Sequence, residues 1–154
     1  MLKEGLILLM EIRKPNDSEL KDIILLSPQA VFDGTLGKVK PTNEKIKHLV
    51  EPLLEKGGYY LIATENEKIM GWILLGVSKD QFTEKMHGFI YELFVREEFR
   101  GNGISKWLLR TAFEHLRQDG YSEVRLSAFV GNKAIKLYEK MGFNIRTVSM
   151  SLSL

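Results

Sequence analysis

The order of its elements places this chain in the α/β class, as a layered domain built on a mixed sheet. Three observations predict it. Helical segments are inserted between strands rather than segregated from them. A long amphipathic helix lies between two apolar strands, a βαβ unit whose strands must run parallel. Before that unit, two strands joined by a short polar turn look like a hairpin, which adds antiparallel pairing.

Leu6–Ile12 reads as the first strand, stopped by Pro15 and the Asn16–Asp17–Ser18 cluster. That cluster offers N-cap side chains to a helix from Glu19 to Leu26, which Pro28 is expected to end. Residues 29–41, with Gly34, Gly37 and Pro41, read as a mobile loop. Thr42 or Asn43 caps a second helix running toward Glu55, and Gly57–Gly58 stops it. Tyr59–Thr64 and Ile69–Val77 form the hairpin around a polar turn, Glu65–Lys68. Lys79–Lys85 is a charged connection to a further strand, Gly88–Val95.

The clearest element follows the polar turn Arg96–Asn102. Ile104, Trp107, Leu108, Ala112, Phe113 and Leu116 recur at helical spacing and turn one apolar face to a sheet, until Gly120 ends the helix. Ser122–Val130 is expected as a strand, Asn132–Met141 as a short helix stopped by Gly142, and Phe143–Leu152 as a closing strand with Val148, Met150 and Leu152 alternating.

Composition narrows the function. The chain has 154 residues, the size of one domain, so 1–154 is expected to be a single unit. With 44% hydrophobic and 27% charged residues it can bury a core without staples. Zero cysteines exclude disulfides, cysteine nucleophiles and thiolate metal sites. A net charge of +2, with no basic block interleaved with aromatics, argues against nucleic acid as a partner. The apolar stretch Gly5–Met10 is too short to span a bilayer, and Glu11, Arg13 and Lys14 follow it where a signal peptide would need a cleavage site. A cytoplasmic domain is the expectation, with no membrane partner.

The run Arg100–Gly101–Asn102–Gly103–Ile104–Ser105 stands between a strand and the long helix. The first turn of a helix leaves amides unpaired at the positive end of its dipole, and glycines let a phosphate approach them. A dinucleotide fingerprint would need a glycine where Lys106 stands, and the P-loop spacing does not occur. A plain tight turn is the other reading of the glycines.

The stretch from Phe94 through Arg100, Gly101, Gly103, Ile104 and Ser105 to Leu109 resembles motif A of the GNAT superfamily of acyl-CoA-dependent N-acyltransferases, Arg/Gln-x-x-Gly-x-Gly/Ala between strand and helix. Arg100 and Gly103 match, and Ser105 stands where the last small residue belongs. Asn132-Lys133-Ala134-Ile135-Lys136-Leu137-Tyr138-Glu139-Lys140-Met141-Gly142-Phe143 is similar to that family's Asn-x-x-Ala-x-x-Leu-Tyr-x-x-x-Gly-Phe block. Both occur in order, one strand apart.

The resemblance implies a mostly antiparallel central sheet flanked by helices, with a splayed parallel strand pair that holds the pantetheine arm of acetyl-CoA. The backbones of Leu93, Phe94 and Val95 would pair with that arm. The Arg100–Ser105 turn, Asn102 included, would hold the pyrophosphate through the amides of Arg100, Gly101, Gly103, Ile104 and Ser105, and Asn132 would touch the pantetheine. Tyr138 occupies the acid position that protonates the departing thiolate, and so lies on the cofactor as well.

An alkyl amine is mostly protonated at neutral pH and must lose a proton to attack. Glu92 resembles an acidic residue of spermidine/spermine acetyltransferases and, facing opposite to Tyr91 and Leu93, could point into the cleft as base or as substrate anchor. A solvated strand carboxylate is the third reading. Ser127, holding a water, and bulk water are the other candidate bases. His48, His87 and His115 are scattered without metal spacing, so no metal is expected. Trp72 and Trp107 read as core residues. The implied activity is acetyl transfer from acetyl-CoA to a primary amine, with a small molecule favoured as acceptor. A protein or peptide amine and a non-catalytic acyl-CoA sensor are the alternatives, and a homodimer is possible.

Overall fold

The computed structural model describes residues 10–154. In chain order they form β1 (Met10–Arg13), α1 (Asp17–Gly34), α2 (Asn43–Glu55), β2 (Tyr59–Glu65), β3 (Lys68–Lys79), β4 (Met86–Val95), a 3-10 turn (Glu97–Phe99), α3 (Ile104–Gln118), β5 (Val124–Leu126) and α4 (Ala134–Lys140). The sheet has five strands in sequence order, antiparallel throughout except for the parallel β4–β5 pair that α3 connects. The α/β class and the βαβ unit are therefore as the sequence predicts.

Period-2 alternation sorts the core into two layers. Tyr60, Ile62, Trp72 and Leu74 face Ile23, Ile24, Ala30, Ile46 and Val50 of α1 and α2. Leu61, Ala63, Ile73 and Leu75 face Ile104, Leu108, Leu109, Ala112 and Leu116 of α3. Covered on both faces, β2 and β3 are apolar along most of their length, as central strands must be. Gly88 lets α3 come close, since a Cβ there would stand 2.6 Å from a methyl of Leu116.

Four expectations about element bounds change. The first strand is predicted partly outside the described residues, and β1 is its described end. The first helix does not stop at Pro28 but runs on to Gly34, turning the first part of the predicted loop, residues 29–34, into helix. A proline inside a helix leaves the carbonyl four residues back without its donor. Here Asn43 Nδ2 donates to Ile24 O at 2.9 Å and replaces the missing amide. Asn43→Ala is expected to cost about 1–3 kcal/mol, the penalty of an unsatisfied buried carbonyl, read as a lower urea midpoint at unchanged slope.

The strand predicted over Ser122–Val130 pairs only at Val124–Leu126, its register with β4 ending at Ile90 while β4 itself continues to Val95. Phe143–Leu152 forms no strand. Phe143 packs against Phe113 and Tyr138, and Arg146 reaches Asp80 and Glu123, both at 3.9 Å. The alternation read in the sequence is present beyond that point, but its side chains meet no surface of their own chain.

Candidate active site

β4 and β5 pair at Gly88–Val124, Phe89–Arg125 and Ile90–Leu126, and then part. At the same place β4 carries a bulge: Leu75 faces Ile90 while Leu74 faces Glu92, leaving Tyr91 over. A bulge reverses the side-chain phase of the strand beyond it. Ile90 belongs to the α3 layer, but Phe94 packs in the α1–α2 layer, and Glu92 follows Phe94. The parallel pairing thus ends at the point in β4 where the bulge re-aims Glu92.

Glu92 is half-buried, and Trp72 Nε1–H donates to its carboxylate. Loss of water around the carboxyl raises its pKa from 4.5 to about 7, which the indole hydrogen bond only partly opposes. Tyr60 pairs with Leu74, and Leu74 with Glu92, so Tyr60 and Glu92 lie in one cross-strand row on the same face. The Tyr60 hydroxyl is buried and has no hydrogen-bond partner, alone among the buried side-chain polar atoms of the described residues. Burial and the Glu92 charge both push its pKa up.

On the far side of β4 the chain enters the glycine turn. Gly101 and Gly103 take left-handed φ values of 81° and 77°, which disfavour any side chain, and a Cβ at either would meet nothing within 4 Å. Gly103 caps α3 without a side chain, and no acidic residue stands in the first turn. By contrast α1 has a complete capping box from Asn16 and Glu19, and α2 is capped by Thr42. Among the described residues the amides from Gly101 to Ser105 donate to no acceptor, which leaves them available to an anion. The Arg100 amide departs from expectation, being bonded to Glu97 O at 3.2 Å.

Two residues of the motifs are tied to the end of α1. Arg100 Nε donates to Val95 O at 2.8 Å, and its Nη2 pairs with Asp33 at 3.1 Å. Asn132 Nδ2 donates to Gly34 O at 3.2 Å, while its Oδ1 accepts from Ala134 N at the start of α4. Asn102 closes the turn locally on Phe99 O and Arg100 O.

Tyr138 lies on α4 with its ring edge toward Phe143 and its body against the α3 layer, and burial raises its pKa. It therefore holds its proton at neutral pH. Leu93 and Val95 point into the same layer, leaving only their backbones facing the splay, along with that of Phe94. Ser127 is exposed beyond the end of β5. His48 is exposed, His87 is buried with Nδ1 on Gly88 O, and His115 Nδ1 meets the Tyr59 hydroxyl at 3.0 Å. Among the described residues no His, Asp or Glu group could hold a metal, and no helix is long and apolar enough to cross a membrane.

Sequence reasoning missed Asp33, Tyr60 and the Trp72 indole. Trp72 read as a core residue, which it is, yet its N–H also holds the carboxylate. None of the three carries a motif, and only strand register and the length of α1 reveal them.

The acetyltransferase (GNAT) family model matches residues 29–143, which include both motifs. Human N-acetyltransferase 8 is 38% identical over 93 residues, covering 59% of this chain but only 40% of the human protein. The N-acetyltransferase YdgE of Bacillus subtilis is 29% identical over 129 residues, about four-fifths of each chain (79% and 80%). An acetyltransferase structure from Pyrococcus furiosus superposes with a TM-score of 0.79 at 23% identity, over 94% of this chain and 99% of that one, a likeness of fold. With the family match spanning the glycine turn and the tyrosine block alike, this protein belongs to the GNAT family of acetyltransferases.

Proposed function

We propose that this protein moves the acetyl group of acetyl-CoA directly onto the nitrogen of a small primary amine. The carrying observation is Glu92, a carboxyl half-ionised near neutral pH beside the point where β4 and β5 part. Such a group can take a proton from an ammonium and later release it, which an ordinary carboxylate does poorly.

The residues present fit the donor. Free amides at Gly101, Gly103, Ile104 and Ser105 suit a pyrophosphate, and the edge of Leu93–Val95, no longer paired with β5, suits an extended amide-bearing arm. Bound acetyl-CoA would supply the acyl carbon and the thiolate leaving group. Glu92 takes the amine proton, the nitrogen bonds to carbon as the carbon–sulfur bond breaks, and Tyr138 gives its proton to sulfur. Positioning does the rest, and no covalent bond to the protein is needed.

A compact acceptor is favoured by the cover over Glu92. Its face of the sheet lies beneath α1 and α2, and the end of α1 is held down on Arg100 and Asn132. A cationic nitrogen near Glu92 would also give the Tyr60 hydroxyl the partner it lacks. Tyr60→Phe is therefore expected to raise the acceptor KM about tenfold, as loss of a charge-assisted hydrogen bond does, with acetyl-CoA binding unchanged. Removing an orphan hydroxyl should leave thermal stability equal or higher.

The deciding assay follows coenzyme A thiol release from acetyl-CoA across polyamines, aminoglycosides, amino acids and peptides. Release dependent on one small amine class is the expected result. Release with peptides alone would move the acceptor to proteins, and saturable acetyl-CoA binding without release would make the protein a sensor.

A further inference from the structure

Trp72 stands at the centre of the sheet, paired with Ile62 of β2 on one side and Phe94 of β4 on the other, and is wholly buried. Its ring centre lies 4.9 Å from that of Phe94, and a packed interior holds such a ring in one orientation. Glu92 pairs with Leu74, not with Trp72. The indole reaches the carboxyl diagonally, across one residue pair, and the bulge that turns Glu92 to this face makes the contact possible. The contact is directional, with Nε1–H donating to Oε1. An indole nitrogen donates and does not accept, so Oε1 carries no proton while the bond is kept. Among the described residues no donor reaches Oε2, and the Tyr60 hydroxyl is alone as a buried side-chain polar atom without a partner. Oε2 therefore opens on accessible space, as the oxygen left to receive a proton.

Little else acts on this carboxyl. From β2 the titratable neighbour is Tyr60, in the same cross-strand row. From α1 and α2 the layer receives Ile23, Ile24, Ala30, Ile46 and Val50. The buried carboxylate of α1, Glu19, is taken by Arg13 at 2.6 Å, and Arg100, over the Phe94 ring, is taken by Asp33. Among the described residues no Lys or Arg pairs with Glu92, so burial opposes its ionised form and the indole is the group that favours it.

We propose that Trp72 is a positioning residue for acetyl transfer: its N–H fixes Oε1 of Glu92, so that Oε2 alone takes the proton of the acceptor nitrogen. The proposal rests on the reading of Glu92 as the base. In the step itself an N–H bond of the ammonium breaks, its electron pair stays on nitrogen, and an O–H bond forms at Oε2. A carboxyl without the indole would rotate, presenting either oxygen, and would hold its proton to higher pH. Both changes slow turnover without touching the donor site.

The chain has two tryptophans, and Trp107 packs in the α3 layer on the other face of the sheet. In Trp107→Phe the remaining indole emission belongs to Trp72. It is expected to change with pH through about 7 and to lose that transition when Glu92→Gln is added. Trp72→Phe is expected to move the rising limb of the kcat–pH profile upward by about one to two pH units, the weight of a hydrogen bond to a charged group. Its plateau kcat should fall about tenfold, with the acceptor KM changed less. Phenylalanine leaves a gap in the core, so the profile is also taken with the tryptophan of Trp107→Phe replaced biosynthetically by β-(3-benzothienyl)alanine. That ring fills the same space with sulfur in place of the N–H, and the same shift is expected. A limb that stays at its native pH in both proteins, with native kcat, overturns the proposal and leaves Glu92 its role. A native profile without that limb removes the base reading and the role of Trp72 together, and the emission titration, independent of turnover, tells the two failures apart.

Discussion

Glu92→Gln is expected to lower kcat/KM by about 10²–10⁴, the range for loss of a general base. The pH profile makes the test specific. In the native protein only the ionised carboxylate accepts a proton, so activity should rise with pH through about 7, the pKa that desolvation sets. Glutamine keeps the shape and can accept from Trp72 but does not titrate, so that limb should vanish. Stability should move the other way. Because the folded pKa lies above the usual 4.5, Glu92 lends full stability below pH 4.5 and loses it as pH rises through about 7. The cost at pH 8 is at most about 3 kcal/mol, and the amide variant should recover part of it. Lower activity with equal or greater stability marks a functional group that the fold tolerates. A variant within twofold of native activity, with its pH limb intact, would remove Glu92 from the reaction.

Tyr138→Phe is expected to reduce kcat about 10²-fold while acetyl-CoA binds with unchanged Kd. The ring contact with Phe143 survives the substitution and only the hydroxyl is lost. Burial keeps that hydroxyl protonated, so it can give a proton to a departing thiolate across the assay range. Isothermal titration with acetyl-CoA separates binding from turnover. Equal kcat in the two proteins would mean that the thiolate leaves unprotonated or takes its proton from water.

Much of this was legible in the sequence because the signals are local. The apolar stripe from Ile104 to Leu116, the turn at Glu65–Lys68 and the paired glycines before α3 each depend on residues close in the chain. So do the two blocks that carry the family resemblance. The length of α1 was not legible, because the donor that lets it cross Pro28 belongs to Asn43, on another helix. Nor was the tie between Asp33 and Arg100, which are 67 residues apart. The closing strand was misread for a related reason: alternation shows that a segment can pair, not which surface it meets.

By itself, then, the sequence determined the class of fold, the glycine turn before α3, the tyrosine on α4 and the family. Tertiary structure decided where Glu92 points. In a regular strand Ile90, Glu92 and Phe94 would share one face, and the carboxyl would enter the α3 layer. The bulge at Tyr91 reverses that phase, placing Glu92 with Trp72 and Tyr60 under α1 and α2. A bulge is a property of pairing between β3 and β4, and pairing exists only once the strands have met.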